Sequence, residues 1–165
     1  NPTQVLDADG EWIEVYNTTA EDIDINGWTL TDTNDNPHVI TSDVPVWVMA
    51  GGFLALTLTC DAATNGGIEP GYCYAGVIIE SGLNPHIILN NDTDDVELGW
   101  NGIVMDTLSY DVEADWFIGA GVATQLSDGS LDGVSNNAST AWCAASSMYG
   151  DGDMGTPGTE NVNCP

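Results

Sequence analysis

The stretch Val96-Glu97-Leu98-Gly99-Trp100-Asn101-Gly102-Ile103-Val104-Met105-Asp106 sets two apolar-rich runs on either side of an Asn-Gly pair. Asn-Gly readily takes the positive φ angles of a type I′ turn, so the stretch predicts a β-hairpin. Upstream, Glu11-Trp12-Ile13-Glu14-Val15-Tyr16 alternates, with Ile13 and Val15 on one face and Glu11 and Glu14 near the other, and it stops at Asn17-Thr18-Thr19. That pattern reads as a strand followed by a turn. Ile23-Asp24-Ile25 resumes the alternation, and Asn26-Gly27 shifts its phase before Trp28-Thr29-Leu30, as a β-bulge or a tight turn would. Phe53-Leu54-Ala55-Leu56-Thr57-Leu58-Thr59 puts three leucines on one face behind Gly51-Gly52 and predicts a central strand. No long segment carries a helical apolar stripe free of Gly, Pro or β-branched interruptions. Short strands between Gly, Asn and Asp turns point to an all-β chain, folded as a sandwich rather than a repeat solenoid. Residues 111–165 read as a loop-rich C-terminal segment of the same single domain, 1–165.

The charge balance narrows the function. The 165 residues include 26 Asp and Glu and no Lys or Arg, a formal charge of −26. With no basic group to neutralise phosphate, nucleic acid and anionic membranes are poor partners, and cations are natural ones. The chain is nevertheless 42% hydrophobic with six Trp and five Tyr, too apolar for a disordered acidic tail. No apolar run approaches the roughly 18 residues needed to span a bilayer. The absence of an initiator Met and of a signal-peptide core reads as a mature chain or a segment of a larger one.

Cys60, Cys73, Cys143 and Cys164 lack CxxC spacing and have no nearby histidines to complete a zinc site. Disulfides are the expectation, and they imply an oxidising, extracytoplasmic compartment. Three connectivities exist. The sequential one, Cys60–Cys73 with Cys143–Cys164, is favoured because each bond closes a loop rich in Gly, Asn or Pro. Each closure would stabilise by about 3 kcal/mol. Asn17, Asn91 and Asn137 head Asn-x-Ser/Thr sequons, candidate glycosylation sites that fit the same compartment.

The segments from Gly10 to Asn17 and from Ile25-Asn26-Gly27-Trp28 to Asp32 resemble the lamin tail domain. So do Thr93-Asp94-Asp95-Val96-Glu97-Leu98, Val104-Met105-Asp106 and Ser109-Tyr110. Near the end, Trp142-Cys143, Tyr149-Gly150-Asp151-Gly152-Asp153-Met154-Gly155-Thr156-Pro157-Gly158 and Asn161 look like the closing segment of secreted bacterial members. The resemblance runs through almost the whole chain. It implies an immunoglobulin-like β-sandwich with long Gly/Asn/Asp-rich loops, and a role in interaction or scaffolding rather than a catalytic site. Family members usually open with an apolar strand just before the Asn-Pro that here is Asn1-Pro2. Without it one sheet edge is unpaired, to be filled from an upstream segment or by a neighbouring chain.

Catalytic motifs are missing. There is no G-x-S-x-G elbow, no H-E-x-x-H pair, and only His38 and His86 are available as bases. Paired carboxylates chosen from so many acids discriminate nothing. His38 and His86 sit in matching Asn-Pro-His pieces. A Pro-bounded strand entry used twice explains them better than a metal pair, because no other ligand spacing accompanies them.

Calcium is the favoured ion, since loops rich in carboxylate and amide oxygens suit a hard cation. The candidate loops are Asp32, Asn34 and Asp35; Asp92, Asp94 and Asp95; and Asp151 and Asp153. The first is no EF-hand, because Pro37 stands where glycine is needed. For each loop alone a solvated turn is the simpler reading.

The leading functional expectation is an extracellular, non-enzymatic structural subunit, with no organic cofactor. It would self-assemble into a filament or surface layer through strand complementation and cation bridging, against the repulsion of its own charge. The alternative is a glycan- or protein-binding module of a larger secreted or cell-surface protein, using Trp47, Trp100, Trp116 or Trp142. A plain monomeric secreted protein of a high-salt organism is the third reading.

Overall fold

A computed structural model of the chain describes residues 1–32, 37–74 and 87–165. One turn of helix, α1 (Asp7–Gly10), precedes β1 (Trp12–Tyr16), β2 (Ile23–Asp24), β3 (Thr29–Thr31), β4 (His38–Val39), β5 (Trp47–Val48) and β6 (Phe53–Thr57). Then come β7 (Tyr72–Cys73), β8 (Thr93–Trp100), β9 (Ile103–Asp111), β10 (Thr124–Leu126) and β11 (Trp142–Ala144), with single 3-10 turns between the last elements. One sheet has the order β1-β6-β7 and the other β4-β3-β8-β9, while β2 pairs with β5 and β10 with β11. This is an immunoglobulin-like all-β sandwich.

The hairpin of β8 and β9 forms as its sequence predicts. Asn101 and Gly102 hold φ of 51° and 76°, both in the region a type I′ turn requires. A register shift between Leu98 and Gly99 adds a bulge close to the turn. At Asn26-Gly27 the phase shift is a tight turn. Trp28 N–H donates to Ile25 O at 3.0 Å, and Gly27 has φ of 88°. The turn passes the chain from the β2–β5 pair to the four-stranded sheet. β6 is central in its sheet, antiparallel to β1 and parallel to β7.

Between the sheets lies a buried cluster that includes Ile25, Leu30, Ile40, Leu56 and Tyr74, with Ile13, Val15, Val96 and Leu98 packed on it. Glu11 corrects one expectation. It shares the parity of Ile13 and Val15, so it goes inward and is 4% exposed, instead of lying near the polar face with Glu14. The structure joins Cys60 to Cys73 beside the parallel β6–β7 pair, and Cys143 in β11 to Cys164 in the C-terminal tail. Among the described residues no helix is long and apolar enough to cross a membrane.

Candidate functional site

Among the described residues a groove of about 490 Å³ runs along β1 from Gly10 to Thr19. Ile13, Val15, Leu56, Val96 and Leu98 line it together with Leu108 of β9, so the core of the sandwich opens directly into it. Trp116, Ile118, Val122 and Trp142 of the C-terminal segment contribute further apolar lining.

Among the described residues both strands beside the groove are sheet edges, since β1 pairs there only with β6 and β9 only with β8. The polarity of the β1 edge follows from its neighbours. Ala55 O and Thr57 O of β6 accept from Gly71 N and Tyr74 N on the β7 side, and Asn17 exchanges bonds with Gly51 and Gly52. Ile13 and Val15 therefore turn their backbone groups toward β6, opposite Leu56 and Leu54. Trp12, Glu14 and Tyr16 turn theirs to the open side, where they meet no backbone partner among the described residues.

Two carboxylates flank β1 on opposite faces. Glu11 Oε2 accepts from Leu89 N at 3.0 Å, and Glu14 Oε1 accepts from Gly158 N at 2.6 Å. Burial pushes Glu11 up to about 7 against the opposing Leu89 amide, with Asp7 and Asp94 adding repulsion. Burial likewise pushes Glu14 up to about 7 against the Gly158 amide. Sequence reasoning missed both as titrating groups. The available signal was the parity of Glu11 with core residues, whereas Glu14 is covered by a chain return that no local pattern shows.

Glu11 also belongs to a clamp. The consecutive amides of Ile88, Leu89 and Asn90 donate to Asp32 Oδ2, Glu11 Oε2 and Asp94 Oδ2 at 3.1, 3.0 and 2.8 Å. Tyr110 hydroxyl closes the same segment on Asn90 O at 2.6 Å.

Asp94 and Asp153, from two of the candidate cation loops, are buried and turned to protein donors. Asp94 takes the Asn90 and Asp95 amides, and Asp153 takes the Thr3 amide at 3.0 Å and its hydroxyl at 2.5 Å. Asp92, Asp95 and Asp151 are exposed. Asn34 and Asp35 lie outside the described residues, as does His86. Among the described residues no group of three or more His, Cys, Asp and Glu side chains is placed to hold a metal ion. His38 is buried with Nε2 2.8 Å from Tyr72 hydroxyl, and burial lowers its pKa.

The three sequons differ in access. Asn17 is buried, and its amide donates to Glu21 O and Val48 O. Asn91 donates to Asp7, and Asn137 is exposed with its amide on Gly133 O. Of the tryptophans considered for binding, Trp47 and Trp100 are 49% and 48% exposed, while Trp116 and Trp142 pack together at 5.8 Å beside the groove.

A mostly antiparallel sandwich with these pairings and this hairpin defines an immunoglobulin-like module. The sequence pattern of the lamin tail domain matches residues 3–112, and the chain belongs to that family. The match ends just after β9, so the likeness of the closing segment to secreted bacterial members lies beyond it. No curated protein and no solved structure matches the chain.

Proposed function

We propose that the chain is an extracellular, non-catalytic structural module, built into a filament or surface layer by accepting a β-strand from a neighbouring subunit. The observation that carries this reading is the open edge of β1 over an apolar groove. Amides and carbonyls at Trp12, Glu14 and Tyr16 that meet no backbone partner among the described residues border half-buried apolar side chains such as Ile13, Val15 and Leu98. An extended segment satisfies both at once, with its backbone on the edge and alternate side chains in the groove. Two disulfides fit an oxidising compartment outside the cytoplasm. Calcium would act between subunits, on exposed carboxylates such as Asp92, Asp95 and Asp151.

The test is particle size, by light scattering and negative-stain microscopy on native material, in calcium and after chelation. Long regular particles support assembly, and their loss on chelation adds cation bridging. Compact monomers under both conditions overturn the reading. They would favour a binding module that uses the exposed Trp47 and Trp100.

A further inference from the structure

We propose that the strand taken up by the groove between β1 and β9 is cationic on one face and apolar on the other, and belongs to a different polypeptide. This inference rests on the strand-accepting reading, takes the neighbouring subunit to be a chain of another kind rather than a second copy, and adds the chemistry of the donor.

The groove is apolar at its floor and acidic in its lining. Glu11, Glu14, Asp106 and Asp153 all line it. Each is positioned by hydrogen bonds: Glu11 by the Leu89 amide, Glu14 by the Gly158 amide, Asp106 by Asn136 Nδ2 and the Thr107 amide, and Asp153 by Thr3. These donors are neutral. They fix the carboxylates without cancelling their charge, and the sequence has no Lys or Arg to do so. Glu11 and Asp153 are 4% and 7% exposed and closed to a docking chain, so the half-buried Glu14 and Asp106 are the carboxylates whose complement is a cation.

Strand geometry says where such cations would sit. β1 spans five residues, and at about 3.4 Å per residue it is matched by a donor of roughly five to seven. In register beside β1, alternate donor side chains enter the floor next to Ile13 and Val15. The others emerge on the face of Trp12, Glu14 and Tyr16. The apolar positions are dictated by the floor, and the outward ones by Glu14 and the acidic surroundings.

The charge also decides against a second copy as donor. Two chains of −26 repel, and none of these residues can place a Lys or Arg beside Glu14. A separate chain with alternating apolar and basic residues removes repulsion as it docks.

The experiment adds Trp-free heptapeptides to the intact, disulfide-bonded protein at pH 8, where both Glu11 and Glu14 carry charge. Trp12, Trp28, Trp116 and Trp142 line the groove and supply the fluorescence signal, with calorimetry as the second readout. Three peptides are compared: alternating Val and Lys, alternating Val and Ser, and the first composition rearranged into a Val block and a Lys block. The Val/Lys alternation should bind about tenfold tighter than Val/Ser at low salt, with the gap narrowing as salt rises. Equal binding of the two alternating peptides would overturn the cationic donor and leave the strand-accepting groove intact. Binding of the block peptide as tight as the alternating one would show charge attraction without strand register, and would overturn the inference. No binding by any peptide would remove the strand-accepting reading itself. Self-association of the peptide-free protein that peptide reverses would assign the groove to a second copy, and would also overturn the inference.

Discussion

Between Trp12 and Asp111 the chain surrounds one continuous apolar cluster, whereas from Val112 onward the buried apolar side chains among the described residues are Ala141 and Ala145. The second region is held by point attachments. Cys143–Cys164 ties the tail to β11, Asn161 Nδ2 reaches Leu126 O at 3.1 Å, Gln125 Nε2 meets Val162 O, and Gly158 N sits on Glu14. Burial stabilises in proportion to area and is shared by every residue of a cluster. Individual bonds stabilise only what they touch. The sandwich should therefore unfold as a unit and the C-terminal segment should open locally.

The largest expected effect is in the cluster. Leu56 is fully buried on the central strand, and Leu56→Ala should cost about 2–5 kcal/mol of global stability, read from urea unfolding with disulfides intact. A loss under about 1 kcal/mol would mean that the cluster is not the source of the sandwich's cooperativity.

Next comes the tail. Replacing Cys143 and Cys164 together by Ser should take roughly 3 kcal/mol from the local opening of the C-terminal segment, with little change in the unfolding midpoint of the sandwich. Amide exchange should rise at 123–126 and 142–145 and stay unchanged in β6. An equal rise in both places would show that the two regions are one cooperative unit.

Glu11 and Glu14 are the points where each region leans on β1, and they make stability pH-dependent. Both have folded pKa values of about 7 against an ordinary 4.5. In that window the folded state holds protons that the unfolded state has lost, so stability falls as pH rises from about 4.5 to about 7 and stays lower above it. The shifts bound the effect at ~3 kcal/mol per group, less for the partly exposed Glu14. Thermal melts at constant ionic strength should show the protein more stable near pH 5 than near pH 8. Glu11→Gln, which keeps an acceptor for Leu89 N, should flatten that slope. His38 acts in the opposite sense: burial lowers its pKa, so its protonation below about 6.5 is disfavoured in the fold and stability is lost there on acidification. A slope that stays unchanged in Glu11→Gln would remove Glu11 from the pH dependence and leave it to Glu14 and the net charge.

How much of this was legible in the sequence follows from the range of each interaction. The β8–β9 hairpin was readable because Asn101-Gly102 encodes its turn within two residues. The central position of β6 was readable from the alternation of Leu54, Leu56 and Leu58. The sequential disulfides follow the Gly- and Asn-rich loops they close. The inward turn of Asp94 and Asp153 was hidden, because acid-rich turns look alike whether their carboxylates meet solvent or backbone amides. Asp153 is captured by Thr3 across 150 residues, and Glu14 by Gly158 across 144. The groove was visible only as an expected unpaired edge. Its acidic lining depends on packing that local alternation does not report.

The smallest predicted effect probes the seam between the two regions. Asp153 lies in the C-terminal segment, yet its carboxylate is held by the amide and hydroxyl of Thr3 at the start of the sandwich. Burial alone would raise its pKa, and the hydrogen bonds from Thr3 and Gln4 outweigh that and lower it. The contribution is therefore present above the ordinary carboxylate range and disappears as pH falls through the lowered value. Thr3→Val removes the hydroxyl bond and keeps the amide, and should cost about 1–2 kcal/mol at neutral pH. If the seam couples the regions, that cost should shrink when Cys143 and Cys164 are already Ser, because a tail that opens freely no longer presents Asp153 to Thr3. A cost that is the same in both backgrounds would place Asp153 with the sandwich and move the boundary between the regions to its C-terminal side.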